Sequence, residues 1–161
     1  MSARDAVDPA PTPVPLARLL AMAYRQLIDG LHDRLREAGW HDVRPVYGFV
    51  LLAARQGPLT ASEVGVLMGT TKQAASKLVD AMEQAGYLRR RPSADDARQK
   101  VLELNRRGRD LLAAVEGIYA ELEAEWAEVV GAAAVERLRR DLTRVLVAGH
   151  DGELPPVRPL W

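Results

Sequence analysis

The chain has no cysteine. That removes disulfides, thiolate metal sites and any cysteine-based redox sensor. It has no HExxH or HxH pattern, and His32, His41 and His150 lie on separate segments, so no metal site is expected. There is no glycine-rich phosphate loop, no GxSxG and no nucleophile with a nearby base. Neither an enzyme nor a bound cofactor is expected. Aromatic residues are scarce, at 5%, with a single phenylalanine. No apolar run approaches a membrane span. The first residues are acidic and proline-rich rather than basic and then apolar, so no signal peptide is read. A cytoplasmic protein without a membrane partner is expected. Excess charge is missing too: 22 Lys and Arg balance 22 Asp and Glu. That argues against a nonspecific polyanion binder, but not against one whose cations are segregated.

What is present starts with enough apolar residues, 48% of 161, for one domain with a core. The organising stretch runs from Thr60 to Leu104. Thr60-x-x-Glu63 reads as a capping box at a helix start, with Ala61, Val64, Leu67 and Met68 on one face. Gly69 suits a helix end. Thr70-x-x-Gln73 reads as a second capping box directly after it. One helix stopping and another starting within about three residues is helix-turn-helix spacing. The second helix turns Ala74, Ala75, Leu78, Val79 and Met82 inward and ends at Gly86. Its first two turns present Thr70, Thr71, Lys72, Gln73, Ser76 and Lys77, with no acid before Asp80. An ordinary solvated face mixes signs; this one does not, which favours contact with duplex DNA.

Tyr87 to Pro92 and Arg98 to Leu104 flank the turn residues Ser93 to Ala97 and predict a short hairpin, with Leu102 and Leu104 alternating against Val101 and Glu103. Arg89, Arg90, Arg91, Arg98 and Lys100 gather on it. An edge hairpin defended by charge needs fewer cations. A narrow tip can also carry an arginine into a minor groove. Phosphate contacts are assigned to Thr70, Thr71, Lys77, Arg89 and Lys100, and base reading to Lys72, Gln73 and Ser76.

Leu59-Thr60-x-x-Glu63, the run Lys77-Leu78-Val79-Asp80-x-Met82-Glu83-x-x-Gly86-Tyr87-Leu88, and Asp96-x-Arg98 followed by Leu104 and Gly108 together resemble the winged helix of the MarR family of bacterial regulators. The resemblance spans roughly residues 16–148. The sequence departs from the family at Ser93-Ala94, often Asp-Pro; at Ala97, often Arg; and at Asn105, often Thr. The resemblance implies that Arg98 enters the minor groove and that Asp96 holds it by a salt bridge. It also implies a small amphipathic or aromatic effector lodged between head and dimer helices, which makes Tyr24, Trp40, His41, Tyr47 and Phe49 pocket candidates. Plain core packing is the competing reading for each of these aromatics.

Elsewhere, residues 1–14 lack periodicity and read as disordered or as an arm. Pro15 suits the first turn of a helix carrying Leu16, Leu19, Leu20, Ala23, Leu27, Leu31 and Leu35, ended by Gly39. Pro45 opens another, with Val46, Phe49, Val50 and Leu52 or Ala53 inward. Asn105 is expected to cap a long helix to about Val130. Gly131 separates it from a last helix striped by Val135, Leu138, Leu142, Val145 and Leu146. Residues 150–161 form a Pro-rich tail ending in Trp161. The expected fold is mainly α with a small β-hairpin wing: a winged helix-turn-helix over about 42–104, flanked by dimerisation helices over about 15–38 and 105–149 within a single domain, 15–149. The helices outside the head lack an intramolecular partner, so a two-fold homodimer is expected rather than an internal bundle. Its two heads would read a pseudo-palindromic operator with half-sites roughly 10 bp apart. The expected activity is transcriptional regulation, as a repressor released by the effector. The competing class is a winged helix that binds protein partners.

Overall fold

The computed structural model describes residues 13–157. The expected N-terminal arm, up to residue 12, and Trp161 lie outside the described residues. Six helices and one hairpin follow in order: α1 (Leu16–Glu37), α2 (Pro45–Gln56), α3 (Ala61–Leu67), α4 (Lys72–Gln84), β1 (Leu88–Pro92), β2 (Lys100–Leu104), α5 (Arg106–Val130) and α6 (Ala132–Ala148). The mainly helical fold with a hairpin wing matches the expectation. No helix among the described residues is long and apolar enough to cross a membrane.

Local chemistry explains most boundaries. Pro45 occupies the first turn of α2, where its missing N–H costs nothing. Pro15 is instead the N-cap of α1, one place earlier than expected. Thr60 and Glu63 form the complete capping box on α3: the Thr60 hydroxyl accepts the Glu63 N–H at 3.2 Å, and the Glu63 carboxylate accepts the Thr60 N–H at 2.7 Å. Gly69 (φ 59°) and Gly86 (φ 78°) close α3 and α4 in the left-handed region. The expected second capping box is not formed. Thr71, not Thr70, caps α4, accepting the Ala74 N–H at 3.1 Å. The Thr70 N–H goes back to the Gly65 carbonyl at 2.9 Å, so Thr70 closes α3 rather than opening α4. Asn105 holds the N-cap position of α5 without a side-chain cap bond. Its amide donates to the Leu88 carbonyl at 3.0 Å, tying the helix start to the wing root.

The core sits in the head. Tyr47, Val50 and Leu51 of α2, Val64 of α3, Ala75, Val79 and Met82 of α4, Tyr87, and Leu88, Leu102 and Leu104 of the hairpin bury together. Two expectations are corrected here. Ala74 is exposed, being placed on the outer side of the first turn of α4. In α2, Tyr47 and Leu51 join Val50 inside, while Val46, Phe49 and Leu52 are half-buried. The strands are antiparallel with Arg90 opposite Leu102. Leu102 donates its N–H to Leu59 at 2.7 Å, so the segment before α3 adds a one-residue third strand. Val101 is buried as well, outside that core cluster, so β2 is covered on both faces and the expected alternation fails.

Below the head, α5 runs about 37 Å at the usual rise per residue. It buries Leu111 and Leu112 first, then Ile118 and Leu122. Gly30 of α1 lies so close to Leu122 that an added Cβ would sit 2.9 Å from its Cδ2. Gly131 (φ 89°) turns the chain, and Arg139 of α6 pairs back to Glu123 of α5 at 2.6 Å. Yet α6 buries no residue at all. Leu138, Val145 and Leu146 are 42%, 71% and 43% exposed, and Leu16, Leu19 and Leu20 of α1 are exposed with them.

Candidate nucleic-acid interface

The N-terminal end of α4 and the wing define the site. α3 packs closely on the turn before α4: a Cβ on Gly65 would be in ordinary contact with the Thr70 carbonyl oxygen at 3.4 Å and the Ala75 Cβ at 3.5 Å. Thr70, Thr71, Lys72, Gln73 and Lys77 are exposed, and Ser76 is half-buried. The backbone N–H groups of this first turn point outward and favour anions. Neither Lys72 nor Lys77 forms an ion pair among the described residues.

The wing divides its cations differently. Arg98 and Lys100 are exposed and have no ion pair among the described residues. Arg89 is bound to Glu103 across the hairpin at 2.7 Å, and Arg91 reaches the same carboxylate at 3.6 Å. The Arg89 hydrogen bond holds the Glu103 carboxyl below its usual pKa. Arg90 is turned onto α4, where Asp80 accepts at 2.6 Å and Glu83 accepts from the other amino group. Expected among the DNA-binding residues, Arg90 has a side chain 26% exposed and engaged by two acids of its own fold. Asp96 differs from expectation too. Its carboxylate accepts the Arg98 backbone N–H at 2.9 Å and makes no side-chain ion pair with Arg98. It shapes the tip backbone, where the Ser93 N–H closes on the Gln99 carbonyl at 2.8 Å, and leaves the Arg98 guanidinium unheld.

The five effector candidates do not converge. Tyr24 and His41 are exposed, Trp40 and Phe49 half-buried, and Tyr47 is core. Trp40 and Tyr47 both face Tyr87, at ring-centroid distances of 6.4 and 5.6 Å. A hollow of about 350 Å³ opens elsewhere, between α2, β2 and α5, lined by Ala54, Arg55, Leu104, Arg109, Leu112 and Glu116 among others.

Sequence reading missed one cluster. The Tyr87 hydroxyl donates to Asp42 at 2.8 Å, Arg107 donates to both Asp42 oxygens at 2.8 and 2.9 Å, and its guanidinium lies over the Tyr87 ring at 4.7 Å. Burial, then the bond to Asp42, pushes the Tyr87 phenol up to about 12. The link between α1 and α2, the wing root and the start of α5 are thereby tied together. Nothing in the spacing of residues 42, 87 and 107 announces this.

A helix pair with a four-residue turn, a β-hairpin and a one-residue third strand is a winged helix-turn-helix. Residues 42–99 match the model of the MarR family, the family that the motifs of the head resemble. Solved structures with the same fold extend the likeness to the helices around it. Tm0710 of Thermotoga maritima, described as a transcriptional regulator, is 22% identical, covering 86% of this chain and 98% of that one, with a TM-score of 0.68. The reduced form of MarR from E. coli is 22% identical over 84% and 98%, with a TM-score of 0.69. A MepR variant from S. aureus, solved with an oligodeoxyribonucleotide, is 22% identical over 84% and 99%, with a TM-score of 0.59. No curated protein matches the chain in sequence.

Proposed function

We propose that the protein is a homodimeric, sequence-specific DNA-binding regulator of transcription that represses until a small amphipathic or aromatic molecule releases it. The observation that carries the DNA reading is the separation of cations. Lys72, Lys77, Arg98 and Lys100, on α4 and the wing, are exposed with no ion pair among the described residues, while Arg89, Arg90 and Arg91 are bound to acids. The N-terminus of α4 would enter a major groove, and the wing tip would follow the neighbouring minor groove. The oligodeoxyribonucleotide bound to the MepR variant supports this use of the fold.

The apolar faces of α1 and α6, exposed among the described residues, support the dimer. Residues 15–149 would then act as one unit, with the head at 42–104 and the base made by the remaining helices. Two-fold pairing sets two heads at a fixed spacing, suited to a pseudo-palindrome. A ligand that favours a wrong spacing by about 5 kcal/mol would switch binding almost completely. Support for a small-molecule effector comes from MepR, which has been solved bound to ethidium bromide.

The test is selection from a randomised duplex pool, followed by titration of the enriched duplex with wild type and Arg98→Ala. Wild type should enrich an inverted repeat. Arg98→Ala should bind it roughly tenfold or more weakly, within the 1–3 kcal/mol of a lost groove contact, with its thermal midpoint unchanged. Equal affinity would take the wing tip out of the interface. Failure of wild type to enrich any duplex would favour the protein-partner class.

A further inference from the structure

We propose that Arg90 is a positioning residue that pins the wing to α4, fixing the angle between the two parts that touch DNA; this rests on the DNA-binding reading above. Leu102 spends its N–H on Leu59, so Arg90 and Leu102 are a pair without ladder hydrogen bonds. The Arg90 N–H therefore points away from β2, out of the free edge of β1. It does not meet solvent: Glu83 Oε1 accepts it at 2.9 Å. The other Glu83 oxygen accepts from the Arg90 guanidinium, and Asp80 Oδ1 takes the remaining amino group at 2.6 Å. Asp80 and Glu83 stand three residues apart on one face of α4, the spacing that lets both reach one partner.

Three bonds from one residue, one of them backbone, fix a strand to a helix more tightly than a lone ion pair. Glu83 also covers an edge donor of β1 that could otherwise pair with another strand. Two residues further along the same edge, Pro92 has no N–H to offer. The acids of α4 that could repel DNA are in this way turned into wing supports. The arginine that sequence alone groups with the DNA-facing cations of the wing becomes the part that aims its neighbours, Arg98 and Lys100.

Two variants and two measurements decide the matter. Asp80→Ala/Glu83→Ala removes the acceptors and leaves Arg90 free; Arg90→Met keeps the apolar stem and removes the side-chain donors. In the acceptor variant, hydrogen exchange at the Arg90 amide should quicken at least roughly tenfold relative to the ladder amides of Arg89 and Arg91, as a local opening would produce. Unchanged Arg90 exchange overturns the pin. On the duplex enriched by wild type, both variants should bind about tenfold or more weakly, with the slope of log Kd against log salt preserved. A phosphate-contacting Arg90 gives the opposite pattern. The acceptor variant, stripped of two negative charges, would then bind more tightly, and Arg90→Met would flatten the slope by about 0.9. Either of those results overturns the proposal. If wild type enriches no duplex, the DNA reading fails, and the exchange result alone decides whether Arg90 is a pin.

Discussion

Two amphipathic helices of this chain, α4 and α6, meet opposite fates. α4 buries Ala75, Val79 and Met82 to 0% exposure, whereas α6 buries nothing and leaves Leu138, Val145 and Leu146 to solvent. Their sequences alone do not separate them: each carries an apolar stripe at helical spacing. The difference is in what surrounds them. α4 packs on α3 and β1 within the head core; α6 packs on α5, to which Arg139 pairs at Glu123, with only Val135, Leu142 and Val147 among its large apolar residues half-buried. The head is complete by itself; under the proposed pairing, the base would complete its core against a second copy.

The most severe way to break that contrast is a charge in the α6 stripe. Under the dimer reading, Leu138→Glu is duplicated across the two-fold. It should weaken association by at least about 100-fold, roughly 3 kcal/mol, because each uncompensated carboxylate is desolvated. Light scattering at graded concentration measures this, and an unaltered mass would mean that α6 faces solvent in the working protein. The matching change in α4 attacks folding instead. Met82→Ala should cost about 2–5 kcal/mol of unfolding free energy, read by urea denaturation, through lost burial and a residual cavity. Below that come the caps. Thr71→Ala should cost about 1 kcal/mol, and Thr70→Ala within about 0.5 kcal/mol, since only Thr71 bonds a helix N–H with its side chain. Equal losses would restore the turn expected from sequence.

The smallest effect is a pH dependence in the head that the base should not share. The bond from the Thr60 backbone, then that from its side chain, holds Glu63 below its ordinary 4.5. A lowered folded pKa stabilises above the unfolded value and loses that contribution as pH falls through the folded one. Glu63→Gln should therefore flatten the acid limb of the thermal-midpoint profile below about pH 4.5 and leave the dimer mass unaffected.

Features set by neighbours in sequence were legible. Thr60 and Glu63 are three apart, so the capping box could be read directly, as could the glycines at 69 and 86. Thr70 was misread because Thr71 satisfies the same chemistry one step later. Choosing between them requires knowing that Thr70 turns back to Gly65. The ion pairs of the β1 cations are hidden from the sequence for a related reason. Arg90 meets Asp80 and Glu83 only after the chain reverses at Gly86, and Arg89 meets Glu103 only across the hairpin register. Tyr47 is both a pocket and a core candidate in the sequence because an aromatic on an amphipathic helix gives no sign of which ring it will face. The tie among Asp42, Tyr87 and Arg107 was invisible on the same grounds.

Gly108, in the opening turn of α5, has its Cα against the backbone of Tyr87: a Cβ there would lie 2.3 Å from the Tyr87 carbonyl oxygen and 3.3 Å from a Leu104 methyl. A rigid main-chain atom stands where any larger side chain would begin, so neighbouring rotamers cannot make room. In a library randomised at every codon, this position should return its original residue alone, although it is neither left-handed nor part of the reading surface. Position 108 would then serve as a one-letter label of the seam between head and shaft, legible in a sequence before any coordinates are known.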